Sequence, residues 1–182
     1  NTIQPFYQPF APGTADANRL PPQTYPNIGT RLSAAGLSWA WYSGGWDNAN
    51  GNVNGRGWTN GNTPGTCTDP QHAAAAVYPN CPDALFQYHH QPLNYFAEFA
   101  PGTAARAAHL RDEADFVHQV KTGRLPAVSF VKPIGEENEH PGYASVTAGQ
   151  QHLVDLIKTI EASPQARSTA IVVTYDEFGG QW

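Results

Sequence analysis

Residues 170–182 run Ala170-Ile171-Val172-Val173-Thr174-Tyr175-Asp176-Glu177-Phe178-Gly179-Gly180-Gln181-Trp182, an apolar stretch that gives way to two adjacent carboxylates and a glycine pair. Four apolar positions without polar alternation predict a strand buried on both faces, the habit of parallel sheets. Open α/β sheets gather ligands at the carboxyl ends of their strands, so Asp176 and Glu177 stand where a metal or a phosphate would be held. Successive strand side chains point to opposite faces, and both carboxylates can serve one site only if the chain turns there, as Phe178-Gly179-Gly180 permits. A site of this kind draws groups from several strand ends. The segment is therefore expected to be one part of an active site, and the chain one part of a longer polypeptide.

Upstream, the sequence alternates between helical and strand patterns. Residues 146–161 carry Leu153, Leu156, Ile157 and Ile160 on one helical face and stop at Ser163-Pro164. Residues 125–131 form a strand candidate, broken at Lys132-Pro133. Ala107, Leu110, Ala114 and Val117 fall at helical spacing and predict one helix over 104–120, ended by Gly123. Residues 37–42 are a further strand candidate leading into Ser43-Gly44-Gly45-Trp46. Before it, Asn27 as N-cap and Gly36 past the end frame a short helix. Helix, strand, helix, strand, helix, strand predicts an α/β/α sandwich with a largely parallel sheet, in one domain. Residues 1–26 are irregular, 47–82 form a long insertion rich in Asn, Gly and Pro, and 85–99 are irregular with a short helix.

Charged residues make up 14% of the chain and the net charge is -5. There is no Lys/Arg run and no basic footprint for nucleic acid. No apolar stretch approaches the roughly 20 residues of a membrane span, and the start lacks the basic and apolar parts of a signal peptide. The two cysteines, Cys67 and Cys81, lie in the insertion, where little regular structure fixes the chain. A disulfide closing a loop of this size would stabilise by about 3 kcal/mol in the chain-entropy model. It is expected here, against the alternative of two unrelated thiols, and favours a periplasmic or secreted protein.

Beyond Asp176 and Glu177, the residues that suit chemistry are histidines in polar loops. His140 precedes a proline that restricts its backbone to extended conformations, which suits a side chain that must project into a site. His89 and His90 lie among Phe86, Tyr88 and Tyr95, where one ring can face a polar pocket. Glu136, Glu137 and Glu139 are expected to be a solvated acidic loop, and His109, His118 and His152 surface or interface residues of helices. Ser43 is the one local nucleophile candidate, though with no adjacent base a plain turn residue is the better reading. Trp39, Trp41, Trp46 and Trp58 among Asn and Gly offer a competing function, a carbohydrate-binding surface. Such modules are more often all-β.

Four stretches in order, Leu20-Pro21-Pro22-Gln23-Thr24, Trp39-Ala40-Trp41-Tyr42-Ser43-Gly44-Gly45-Trp46, Glu137-Asn138-Glu139-His140-Pro141-Gly142 and Tyr175-Asp176-Glu177-Phe178-Gly179-Gly180, resemble the bacterial phosphoesterase family of phospholipases C and acid phosphatases. The resemblance covers nearly the whole chain and implies an alkaline phosphatase-like fold with a divalent metal ion at the strand ends. Asp176 and Glu177 match the family's acidic metal-ligand pair, although some members have Asp-Asp. His140 matches its site histidine, and His89-His90 resembles the pair beside the phosphate, with Gln91 where an acidic residue can follow. The substrate implied is a small phosphate ester or a phospholipid. The family's Glu-Asn ligands and its Ser or Thr nucleophile have no counterpart in this sequence, so the rest of the same polypeptide is an expected partner. The piece as it stands is expected to be inactive.

Overall fold

Trp39–Ser43 forms the central strand, β1, of a three-stranded sheet in the computed structural model, which describes residues 9–10, 19–68 and 76–176. Leu110–Asp112 (β2) and Val128–Lys132 (β3) flank it in the order β2-β1-β3, and both pairings are parallel. The register aligns Ser43 with Asp112 on one side and Lys132 on the other. These three residues close the carboxyl edge of the sheet, an edge the crevice rule marks as the site.

Helices cover both faces, as the alternating pattern predicts. On one face Trp39, Trp46, Phe86, Leu93, Phe99 and Leu110 form a buried cluster, with Trp41 and Phe130 packed against it. On the other, Ala40 and Tyr42 meet Phe116, Val120 and Ile160. Strand alternation explains the division: the odd positions of β1 carry tryptophans to the first face, the even ones Ala40 and Tyr42 to the second. Ile28–Ala34 (α1) and Trp46–Asn50 (α2) belong to the first half of the chain. Asn27 and Thr30 close a reciprocal capping box on α1, and Gly36, at φ 69, ends it. Val146–Glu161 (α5) has the bounds the sequence predicts, and the Ser145 side chain accepts from Ala148 N at 3.3 Å at its start.

Two expectations are corrected. The single helix over 104–120 is two helices, Ala104–His109 (α3) and Glu113–Thr122 (α4), with β2 between them. Apolar spacing could not reveal this, because Leu110 is buried in either conformation. The Asp112 carboxylate accepts from Ala114 N at 2.9 Å and restarts the helix as an N-cap. The second correction concerns the predicted strand over 169–175. Among the described residues it pairs with no neighbour. Ile171, Val172 and Val173 are exposed, Val172 at 86%. An apolar run of this kind buries both faces only when another strand receives it, and none of β1, β2 or β3 does.

The Cys67–Cys81 disulfide is present, with Cα atoms 5.4 Å apart. It closes the turn-rich segment that follows α2. Residues 85–99 are irregular as expected, apart from short 3-10 turns at Tyr88–His90, Pro92–Tyr95 and Ala97–Phe99.

Candidate active site at the carboxyl edge

The β3 side of the edge gathers cationic and imidazole groups. Lys132 ends β3 and is partly buried, which lowers its pKa, with Asp176 opposing that shift. His89 and His90 occupy the 3-10 turn Tyr88–His90, their rings 4.3 Å apart and nearly perpendicular. Burial first, then the charges of His140 and Lys132, lowers the His89 pKa. His90 is pushed down to about 4 by burial, then by His89, Lys132 and His140, while Asp176 pulls the other way. Desolvation and like charge disfavour an imidazolium in the same direction, so both rings are neutral at pH 7.

His140 is exposed on the loop that leaves β3. Its ring stacks on Tyr143 at 4.4 Å, and its Nδ1 lies 2.8 Å from the Pro141 carbonyl oxygen. A carbonyl oxygen only accepts, so Nδ1 carries the proton and Nε2 is left to face a ligand. The Tyr143 hydroxyl accepts from Gln87 Nε2 at 2.7 Å, tying this loop to the chain just before His89. His89, His90, Lys132, His140 and Asp176 thus form one electrostatic neighbourhood. Asp176 is its described carboxylate, and Glu177 lies outside the described residues.

The β2 side is acidic. Asp112 is buried and accepts from Asp47 N and Ala114 N, each at 2.9 Å. Burial outweighs those bonds and, with Asp47 and Glu113 adding, raises its pKa to about 6. Asp47 itself accepts from Gly57 N at 2.8 Å and Asn52 Nδ2 at 2.7 Å. Next to Asp112, Glu113 begins α4, and its Oε1 lies 2.6 Å from Nε2 of His152 on α5. His152 Nδ1 lies 3.2 Å from Glu137 Oε2, in the loop after β3.

Several sequence expectations change here. Of its two alternatives, surface or interface, His152 takes the interface, linking Glu113 to Glu137, and Glu137 is not merely solvated. His109 stacks on Trp39 at 4.0 Å and its Nδ1 is 2.8 Å from the Trp39 carbonyl oxygen, an inward structural role. Trp39 and Trp46 belong to the core, which removes two of the four tryptophans named for a carbohydrate platform. Ser43 is buried at the end of β1 with its Oγ 3.5 Å from the Gly44 carbonyl, a strand residue rather than the turn residue expected. Lys132 and Glu113 were not legible as residues of the candidate site. Each follows a strand directly, but β2 was hidden inside an apparent helix, and Lys132 was read only as a strand breaker.

The carboxylate of Asp176 and the neutral imidazoles beside it are donors that suit a divalent cation. Lys132, by contrast, suits an anion. The set therefore fits a metal and a phosphoryl group together rather than a metal alone.

The family model described as Phosphoesterase family matches residues 10–182. Phospholipase C B of Mycobacterium tuberculosis is 39% identical over 67 residues, a stretch covering 36% of this chain and 13% of that protein. Non-specific phospholipase C1 of Arabidopsis thaliana is 33% identical over 72 residues, with the same two coverages. Non-specific phospholipase C6 of the same plant is 29% identical over 72 residues, covering 36% of this chain and 14% of the relative. The matched part of the chain thus spans about an eighth of the length of these curated relatives.

Proposed function

The chain belongs to the phosphoesterase family, and from that membership we propose that it forms part of the catalytic domain of an exported, metal-dependent phosphoric ester hydrolase. The observation that carries the reading is the convergence of His89, His90, Lys132, His140 and Asp176 at the sheet's carboxyl edge. A phosphate ester repels an attacking nucleophile, so hydrolysis requires donors and cations that neutralise charge as it moves to the leaving oxygen. Asp176, joined by Glu177, would hold the divalent ion, which when bound supplies Lewis-acid neutralisation of the phosphoryl group.

The chain's own residues supply the rest. Lys132 offers a point charge to a phosphoryl oxygen. His89 and His90, kept neutral by burial and mutual repulsion, gain a reason to protonate when an anion arrives, so binding would draw in protons. His140, with Nδ1 engaged by Pro141, presents Nε2 to exchange a proton with the leaving-group oxygen. The nucleophile would come from further segments of the polypeptide. The names of the relatives favour a phospholipid substrate over a small monoester. The disulfide supports export. Among the described residues no helix is long and apolar enough to cross a membrane.

The test uses the polypeptide extended to include the family's Glu-Asn and nucleophile segments. It should hydrolyse phosphatidylcholine or an aryl phosphate only with a divalent cation present. Asp176→Ala and His140→Ala should each lower kcat at least a hundredfold while the circular dichroism spectrum is retained. Full activity in Asp176→Ala, or in the presence of excess chelator, would sink the proposal.

A further inference from the structure

We propose that Glu113, Glu137 and His152 form a second divalent-cation site, of the zinc class, that fastens α5 and the loop after β3 to the β2–α4 junction. One ligand atom from each residue lies within 4.8 Å of the other two. The three come from separate elements: Glu113 from the first turn of α4, Glu137 from the 3-10 turn Gly135–Glu137, and His152 from the second turn of α5. This cluster is distinct from the Asp176 neighbourhood. Glu113 and Glu137 are the nearest charges acting on His152, and neither bears on His89 or His90.

Two observations point to a cation rather than to a plain ion pair. First, Glu113 is 7% exposed, and its buried Oε1 meets the buried His152 Nε2 at 2.6 Å in a contact poorly aligned for a hydrogen bond. Buried polar atoms are nearly always satisfied in good geometry, and a shared cation would satisfy both atoms better than this misaligned contact does. Donors bonded at about 2.0–2.2 Å to a tetrahedral zinc lie roughly 3.4 Å from one another, so a small opening of this contact admits the ion. Second, charge balance favours it. A protonated imidazole between two carboxylates leaves the cluster at one net negative charge, beside the buried Asp112. A divalent cation with a neutral imidazole brings the cluster to zero, and neutralising buried charge removes a cost of several kcal/mol per ion.

The chemistry of the donors narrows the ion. One imidazole and two carboxylates suit zinc and its first-row neighbours, whereas magnesium and calcium prefer all-oxygen shells. The Glu113 side chain retains 9% exposure, His152 19% and Glu137 39%, so the ion enters from the Glu137 side. The loop that supplies Glu137 continues to His140. Occupancy would therefore stiffen the segment that presents that histidine, without the second ion touching the phosphoryl group.

The test is zinc binding by the chelator-stripped 182-residue chain, measured by metal content after dialysis and by thermal denaturation. Wild type should bind zinc and melt at higher temperature with it. His152→Ala should bind one equivalent fewer and lose the thermal shift. Glu137→Gln, in a partly exposed loop position that folding tolerates, should weaken the binding at least tenfold. Because the readout is metal content rather than hydrolysis, failure here leaves the proposed activity standing, and an inactive polypeptide leaves this site standing. A wild-type chain that gains no stability from zinc, or triad variants that bind as much zinc as wild type with the same shift, would overturn the proposal.

Discussion

Replacing Arg106 should unfold the side of the molecule that carries His89 and His90. This guanidinium is 8% exposed and faces no described carboxylate among its hydrogen-bond partners. Instead, Nε and Nη2 donate to Asn50 Oδ1 at 3.1 and 2.8 Å, and Nη1 donates to Asn94 Oδ1 at 2.7 Å and to the Phe99 carbonyl at 2.9 Å. Its Cζ sits 4.7 Å from the centre of the Trp46 ring. One side chain thereby ties α2 to the turns that follow the histidine pair. Burial lowers its pKa to about 10, which still leaves it charged at neutral pH. Removing it strands three acceptors, of which Asn94 Oδ1 and the Phe99 carbonyl are buried and Asn50 Oδ1 half-buried, a buried one costing about 1–3 kcal/mol when unsatisfied. The losses share one cavity and do not add in full, so Arg106→Ala should cost about 3–5 kcal/mol. Arg106→Lys keeps the charge but cannot reach all three acceptors from one ammonium, and should cost about 2 kcal/mol. Urea unfolding followed by tryptophan fluorescence measures both, with the slope unchanged if unfolding stays two-state. A cost under about 1 kcal/mol for Arg106→Ala would refute the reasoning, because water would then replace the guanidinium at no penalty.

Further expectations concern the loop, the anion site and the buried acid. The Cys67→Ser/Cys81→Ser double variant should lose about 3 kcal/mol, from the entropy of a loop with sequence separation 14, and wild type in reductant should match it in the same urea titration. Sulfate, whose charge is fixed over this range, should bind more tightly as pH falls from 7 to 5. His90 sits at about 4 in the free site, a bound anion raises it, and each proton taken up steepens affinity by up to tenfold per pH unit. Calorimetry should show that slope and a shallower one in His90→Gln, and a flat wild-type profile would contradict the cationic reading of the site. Asp112 has a folded pKa raised to about 6, so it favours folding when protonated and lowers stability by about 2 kcal/mol as pH rises from 4 to 6. Asp112→Asn, despite losing one backbone hydrogen bond, should remove that component from the pH dependence of the melting temperature. An identical profile in wild type and variant would show that Asp112 does not titrate in this range.

The sequence made some of this legible and hid the rest for definite reasons. Helix α5 was readable because 16 residues carry a clean apolar face and stop at Ser163-Pro164. β1 and β3 were readable within three residues, because β-rich runs end at a glycine pair and at Lys132-Pro133. β2 was not, since three residues carry no period, and Leu110 satisfied the helical spacing of its neighbours. The apolar run at 170–173 misled in the opposite way: it encodes burial on both faces, but burial depends on a strand that pairs with it, which is a tertiary fact. His89, His90 and His140 were singled out as candidates through local chemistry. His152 was read only as a surface or interface residue, because a histidine inside an amphipathic helix carries no sign of its partners until the fold brings Glu113 and Glu137 to its two nitrogens.

The register of three strands accounts for the division of charge along the edge. Ser43, at the end of β1, has Asp112 on one side and Lys132 on the other, roughly 10 Å apart across two strand spacings. Each end then recruits its own kind of group. Asp47 and Glu113 gather near Asp112, while His89, His90 and His140 gather near Lys132. With a net charge of only -5 over 182 residues, this separation is local rather than a property of the surface as a whole. An anion approaching the edge would be attracted on the β3 side and repelled on the β2 side, and a cation the reverse. The loop from β3 crosses this boundary, because Glu137 reaches back to His152 while His140, three residues on, faces the cationic side. Fixing the acidic end of that loop therefore fixes the reach of its histidine, so the two clusters share one mechanical element although they attract opposite ions.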